Sequence, residues 1–244
     1  MRRVSLIGAG NVATRMAARL HELGYEIVQQ CSRTGTPVSS LDPDRCDMVI
    51  VAVSDDAIAP VLATVKSAGN AVWAHTSGSV GIDVFDAAKF PRRGVLYPLQ
   101  TLLKDREVDW NEVPLLVEGD FEIETVARDM SPSVARLDSE SRRRLHAAAV
   151  IGNNMVTYLW SLSRRIMQDA GLDFGMLGPL LHMTLDRSLS LGPQNAMTGP
   201  ARRGDMHTIS THLAALPPDI AATYGFLSKE ILKIYHPELI TDQS

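Results

Sequence analysis

The chain has 244 residues, 45% of them hydrophobic and 21% charged, which is ordinary globular usage and excludes a disordered or fibrous protein. A net charge of −4 gives no general attraction to nucleic acid or to an anionic membrane. Two cysteines, Cys31 and Cys46, are too few for a disulfide framework or a cysteine metal cluster, and no apolar run approaches the ~20 residues of a membrane span. The chain reaches Gly8 after four mainly apolar residues, so no signal peptide is expected, and a cytoplasmic, metal-independent protein is.

Residues 4–7 read as a first strand. A helix follows to Leu23, with Val12, Met16, Leu20 and Leu23 at helical spacing and Gly24 as its stop. Residues 25–31 form the second strand, and the apolar run 47–53 suits a strand buried on both faces of a parallel sheet. Asp55 and Asp56 begin a helix that runs to Lys66 and closes at Gly69. Strands are predicted at 71–75, 94–97, 113–117 and 134–137, with short helices near 84–89 and 122–130. Strands alternating with helices indicate a parallel, doubly wound α/β sheet. Between Cys31 and Cys46 the chain is too short for a normal helix plus a normal strand, and it contains Pro37 and Pro43. A short edge strand at 37–40 is expected there, with the crossover helix lost and the sheet truncated on that side.

Near residue 138 the texture changes, and almost everything after it reads as helix. A long helix is predicted from Ser139 to about Ala170, roughly 45 Å at 1.5 Å per residue. Further helices are predicted at 176–191 (bent or started by Gly178-Pro179), 205–216 and 219–235, the last two separated by Pro217-Pro218.

The strongest motif is Gly8-x-Gly10-x-x-Ala13 between the first strand and the first helix. Two glycines allow a tight turn and close approach of a pyrophosphate to the helix N-terminus, so Gly8, Ala9, Gly10, Asn11, Val12 and Ala13 are the candidate dinucleotide cradle. An NAD site would place a carboxylate about 20 residues further on. Here that strand ends in Ser32-Arg33-Thr34 instead, and hydroxyls beside a guanidinium suit a 2′-phosphate, so NADP is the expected cofactor. Two more strand ends point to the same crevice. Ser54 and Asp55 serve either the cofactor or helix capping, and Thr76 joins the cofactor set. His75 reads as an acid–base group or as a structural histidine, and Ser77 as a substrate contact.

These motifs, with Pro98-Leu99-Gln100-Thr101 and Thr198-Gly199-Pro200-x-x-Arg203-Gly204-Asp205, resemble a bacterial family along essentially the whole chain. Its members are similar to deazaflavin-dependent NADP oxidoreductases and to the wider superfamily of 6-phosphogluconate, β-hydroxyacid and pyrroline-carboxylate enzymes. The resemblance implies a Rossmann-type, doubly wound, mostly parallel sheet over residues 1–137. An all-helical substrate and dimerisation domain is implied over 138–244, with a homodimer and a small-molecule substrate.

Two departures stand out. Tyr97 occupies a position where the family motif has histidine, which removes an imidazole there. The superfamily's lysine, four residues before an asparagine on the long helix, is replaced by Ala149 or Val150. His146 and Asn153, seven residues apart, would share a helix face and stand in for it. Gln100 and Arg203 are the candidate substrate-binding residues, while Gly199, Pro200 and Asp205 suit a turn and a helix cap. The missing lysine favours a non-catalytic nucleotide sensor. The retained His75, His146, Ser77 and Asn153 favour a reductase, because a sensor has no need of proton-transfer groups.

Overall fold

The computed structural model describes residues 2–240, and among them seven strands make one sheet. They are β1 (Arg3–Ile7), β2 (Glu26–Cys31), β3 (Met48–Val51), β4 (Val72–His75), β5 (Arg93–Pro98), β6 (Leu115–Gly119) and β7 (Val134–Arg136). Their order is β2-β1-β3-β4-β5-β6-β7, and every pairing is parallel except β5 with β6. The α/β, doubly wound reading therefore holds.

Strand alternation sends side chains to two separate cores. Leu6, Ile50, Ala74 and Leu96 pack with Met16 and Leu20 of α1 (Asn11–Glu22) and Ile123 and Val126 of α3 (Phe121–Met130). Ile7, Val49, Val51 and Trp73 pack on the other face with Ile58 and Leu62 of α2 (Asp55–Thr64), plus Phe85 and Phe90. Each leucine, isoleucine, valine, phenylalanine and methionine among them contributes about 1.5–3 kcal/mol when fully buried. The register puts Cys31, Ile7, Val51, His75 and Val95 in one transverse row. Two residues further along, Arg33, Ala9, Val53 and Ser77 have left their strands, while Tyr97 is still within β5 and pairs with Leu116 of β6.

Two expected elements differ. Residues 37–40 are not a strand, since Val38–Ser40 and Pro43–Arg45 are 3-10 turns and β2 is the sheet edge. The side chain of Gln29 does a strand's work there, donating to the Ser40 carbonyl (3.2 Å) and accepting the Asp42 N–H (3.0 Å). Residues 84–89 are not a helix either. Ile82–Val84 is a 3-10 turn, and Asp86 then folds its carboxylate onto the Ala88 N–H at 2.9 Å, a local bond that competes with helix.

The first compact unit is Met1–Gly152 and the second Asn153–Ser244, whereas the change in sequence texture comes at 138. The difference is α4 (Ser139–Ala149), which belongs to the unit with the sheet. Its N-terminus is pinned there. Arg142 is 1% exposed and pairs with Glu118 of β6, and its Nη2 donates to the Val80 carbonyl at 2.6 Å. The chain then passes through a π-helical stretch, Val150–Met155, not the uniform α-helix expected to about Ala170.

In the second unit, α5 (Val156–Asp169), α6 (Gly178–Leu191), α9 (Met206–Ala215) and α10 (Pro218–Tyr235) match predicted helices. The short α7 (Pro193–Ala196) was not expected, whereas the turn expected at Gly199-Pro200 is there as the short α8 (Pro200–Arg203). Ala201, Ile209 and Leu232 form the small core, and Arg165 ties α5 to Asp219 of α10. No helix among the described residues is long and apolar enough to cross a membrane.

Candidate functional site

The turn after β1 is built around Gly8. Its φ is +131°, and a Cβ there would lie 2.1 Å from the Ala52 carbonyl oxygen, so only glycine fits against β3. Gly10 is different. Its backbone is extended and a Cβ would meet nothing within 4 Å, so no protein neighbour demands a glycine. What the missing side chain leaves is open room over the helix start. Gly10 is the N-cap of α1, no side chain caps the helix, and its first turn holds no acid, leaving the opening N–H groups for an anion. Ala13 is fully buried, which lets α1 lie close to the sheet.

A cavity of about 770 Å³ opens over this turn. Gly10, Asn11 and Val12 line it on one side, Ser32, Arg33 and Thr34 at the end of β2, and Ser54 at the end of β3. Its lining contains one cation, Arg33, and no carboxylate. Ser54 holds the N-cap position of α2 but makes no side-chain capping bond. Asp55 instead accepts a hydrogen bond from the Ser79 hydroxyl, which ties α2 to the loop after β4. Thr76 lies beyond β4 and gives its N–H to the Val51 carbonyl at 3.2 Å.

Other predicted residues take different places. His75 is fully buried in the second core, stacked on Phe85, because the pleat that buries Trp73 buries it too. Its Nδ1 accepts the Ser77 N–H at 3.2 Å and its Nε2 lies 3.4 Å from the Gly81 carbonyl. Burial, reinforced by Arg142, pushes its pKa down to about 4. A neutral imidazole with both nitrogens engaged fits the second of the two readings left open for His75, the structural histidine, better than the acid–base group. Ser77 Oγ accepts the N–H groups of Ser79 (3.1 Å) and Val80 (3.0 Å), so it shapes the loop. Gln100 is exposed and accepts the neighbouring Thr101 N–H at 2.8 Å.

His146 on α4 does reach this sheet edge. Its Nδ1 is 3.0 Å from the Tyr97 hydroxyl, the two rings meeting edge to face at 79°. Sequence reasoning discounted Tyr97 because it is not histidine, yet it occupies the end of β5 beside Ser77. The signal was its position, not its type.

Asn153 and Arg203 belong to the second unit. The seven-residue spacing from His146 to Asn153 assumes uninterrupted α geometry, which the chain leaves at Val150. Arg203 is exposed, 3.9 Å from Asp205, and Asp205 caps α9 through the Thr208 N–H at 3.0 Å.

A model of a domain of unknown function, DUF2520, matches residues 114–231. No curated protein matches the chain. A putative NADP oxidoreductase of Bacteroides fragilis is similar at 33% identity and TM-score 0.87, over 94% of this chain and 97% of that one. An imine reductase of Streptomyces aurantiacus shares the fold at 15% identity and TM-score 0.65, over 97% of this chain and 94% of that one. So does a Plasmodium falciparum pyrroline carboxylate reductase with NADP bound, at 9% identity and TM-score 0.56, over 96% and 97%. The chain belongs to the family of the Bacteroides fragilis protein, and its residues 114–231, which begin with the last two strands of the sheet, match the DUF2520 model.

Proposed function

We propose that the chain is an NADP(H)-dependent oxidoreductase that moves a hydride between the nicotinamide and a small carbonyl or imine carbon, or a deazaflavin. The observation that carries this reading is the cavity over Gly8–Ala13, with Arg33 as its one lining cation and no carboxylate. The uncapped α1 N-terminus would hold the pyrophosphate, and Ser32, Arg33 and Thr34 the 2′-phosphate. Ser54, Asp55 and Thr76 lie along the same strand-end edge. The name of the Bacteroides relative and the names of the two reductases sharing the fold support the class.

NADPH supplies the hydride when bound. The chain's part is to hold a proton donor and a substrate, and His146 is our choice for the acid–base machinery. Asn153, Gln100 and Arg203 are our candidates for orienting substrate. We also propose that the chain works as a homodimer through its helical unit. Because Ala149 or Val150 stands where the resemblance implies a lysine, a non-catalytic NADP sensor is the second reading.

Titration decides the cofactor. NADPH is expected to bind more tightly than NADH by about ten- to a hundredfold, the range of a charged hydrogen bond, and Arg33→Ala to remove most of that gap. Equal affinities in the unmodified protein would defeat the 2′-phosphate assignment. A screen of oxo acids, aldehydes, imines and a deazaflavin decides the activity. Tight NADPH binding with no acceptor reduced would leave the sensor.

A further inference from the structure

Gly78 explains what holds Tyr97 and His146 together. A Cβ on Gly78 would lie 2.6 Å from His146 Nδ1 and 2.8 Å from Tyr97 Cζ. Its φ is not among the positive ones, so the backbone does not require glycine there. The two rings do. The loop after β4 has thus given up a side chain where strand β5 and helix α4 bring a phenol against an imidazole.

This pair stands on the edge that carries the cofactor cavity. Tyr97 lies two residues past Val95, whose row of register partners is His75, Val51, Ile7 and Cys31, and Ile7, Val53 and Ser54 line the cavity itself. At about 4.8 Å per strand, β5 is three spacings or about 14 Å from β1. Both rings are half-buried, so they are neither sealed in a core, as His75 is, nor free in solvent. Burial first, and then the Asp55 charge, raise the Tyr97 pKa, which keeps its hydrogen on the oxygen across the neutral range.

We propose that Tyr97 is the proton donor of the reductase and that His146 reloads it, with Nδ1–H donating to the phenol oxygen. This deepens the oxidoreductase reading and rests on it. Hydride from the reduced nicotinamide, the reductant, makes the new C–H bond on the carbonyl or imine carbon. The Tyr97 O–H bond breaks as its proton passes to the carbonyl oxygen or imine nitrogen. The Nδ1 proton of the neutral His146 ring passes to the phenolate while its Nε2 takes up a proton from solvent, so the ring stays uncharged and returns to the Nδ1–H tautomer by exchange with water.

The test begins without substrate. In protein labelled with ¹⁵N-histidine, the neutral His146 ring is expected as the Nδ1–H tautomer, and Tyr97→Phe to shift it toward the Nε2–H form. An Nε2–H tautomer in the unmodified protein, with Tyr97 donating to Nδ1, overturns the relay, and needs no variant to fold. With an acceptor from the screen, Tyr97→Phe is expected to lower kcat by roughly a hundredfold or more and His146→Gln by a smaller factor. The NADPH dissociation constant should stay put in both. If the unmodified protein reduces an acceptor and Tyr97→Phe does so equally well, the relay fails and the oxidoreductase reading survives. Absence of NADPH binding, or of any reducible acceptor, removes the oxidoreductase reading and the relay with it.

Discussion

His75 shows how one side chain acquires a role from the pleat of its strand. Trp73 and His75 are two residues apart on β4, so both point into the core shared with Ile7, Val51 and Phe85. The folded protein holds this imidazole neutral, with a pKa near 4 against an ordinary value near 6.5. The unfolded chain therefore takes up its proton first on acidification. The contribution is fully present above about pH 6.5 and is lost as the pH falls toward 4, up to about 3 kcal/mol. Urea unfolding between pH 4 and 7 should show that slope, and His75→Asn, which keeps an acceptor for the Ser77 N–H but does not titrate, should flatten it. Equal slopes in the two proteins would mean that His75 is not held neutral. The tight turn at Gly8 was legible at this scale because its chemistry is local to one turn. His75 was not, because a histidine at a strand end looks the same in sequence whether it faces a cleft or a core.

Helix α4 illustrates the next scale, where an element is placed by a few buried polar contacts. Arg142 is enclosed between Glu118, the Val80 carbonyl and the Ser139 hydroxyl, and Glu118 also receives the Ser139 N–H at 3.1 Å. A buried pair is costly to break from one side, because the surviving charge is left without a partner. Arg142→Leu is expected to lower stability by about 3–5 kcal/mol, and the double variant Glu118→Leu with Arg142→Leu to recover part of it. Denaturant unfolding reads both. A single-variant loss under about 1 kcal/mol would show that α4 is held mainly by other contacts. Same-scale features explain what was readable. Strands β1, β3 and β4 announce themselves as apolar runs, and α1 by its period and its glycines. The latch escaped notice because Arg142 sits in the run Ser-Glu-Ser-Arg-Arg-Arg, which reads as a solvated face, and its partner is 24 residues away. The π turn at Val150–Met155 leaves no mark in composition either.

At the scale of the whole molecule, the two units differ in how well each encloses itself. The first buries two cores against both faces of its sheet. The second has a small core, and its α6 buries no residue at all although its sequence is rich in leucine. Leu180, Met183, Leu185 and Leu189 of α6 are all exposed, Leu189 to 79%, as are Met155, Tyr158 and Trp160. Exposed apolar side chains along one helix suit a contact with another protein, and we propose a second copy of the same chain as that partner. In sequence the same expectation came from the resemblance and from the helix predicted over 139–170, too long for a small domain to cover both its faces and apolar at Val150, Met155, Leu159, Trp160 and Ile166. Light scattering at micromolar concentration is expected to give the mass of a dimer. Replacing Leu180 and Leu189 with aspartate should halve that mass while the helical circular dichroism persists, because two charges placed in an apolar contact of standard size, about 1,200–2,000 Å² in total, lose their water without gaining a partner. A monomeric mass for the unmodified protein, or a dimer that survives both aspartates, would place the subunit contact elsewhere or nowhere on α6.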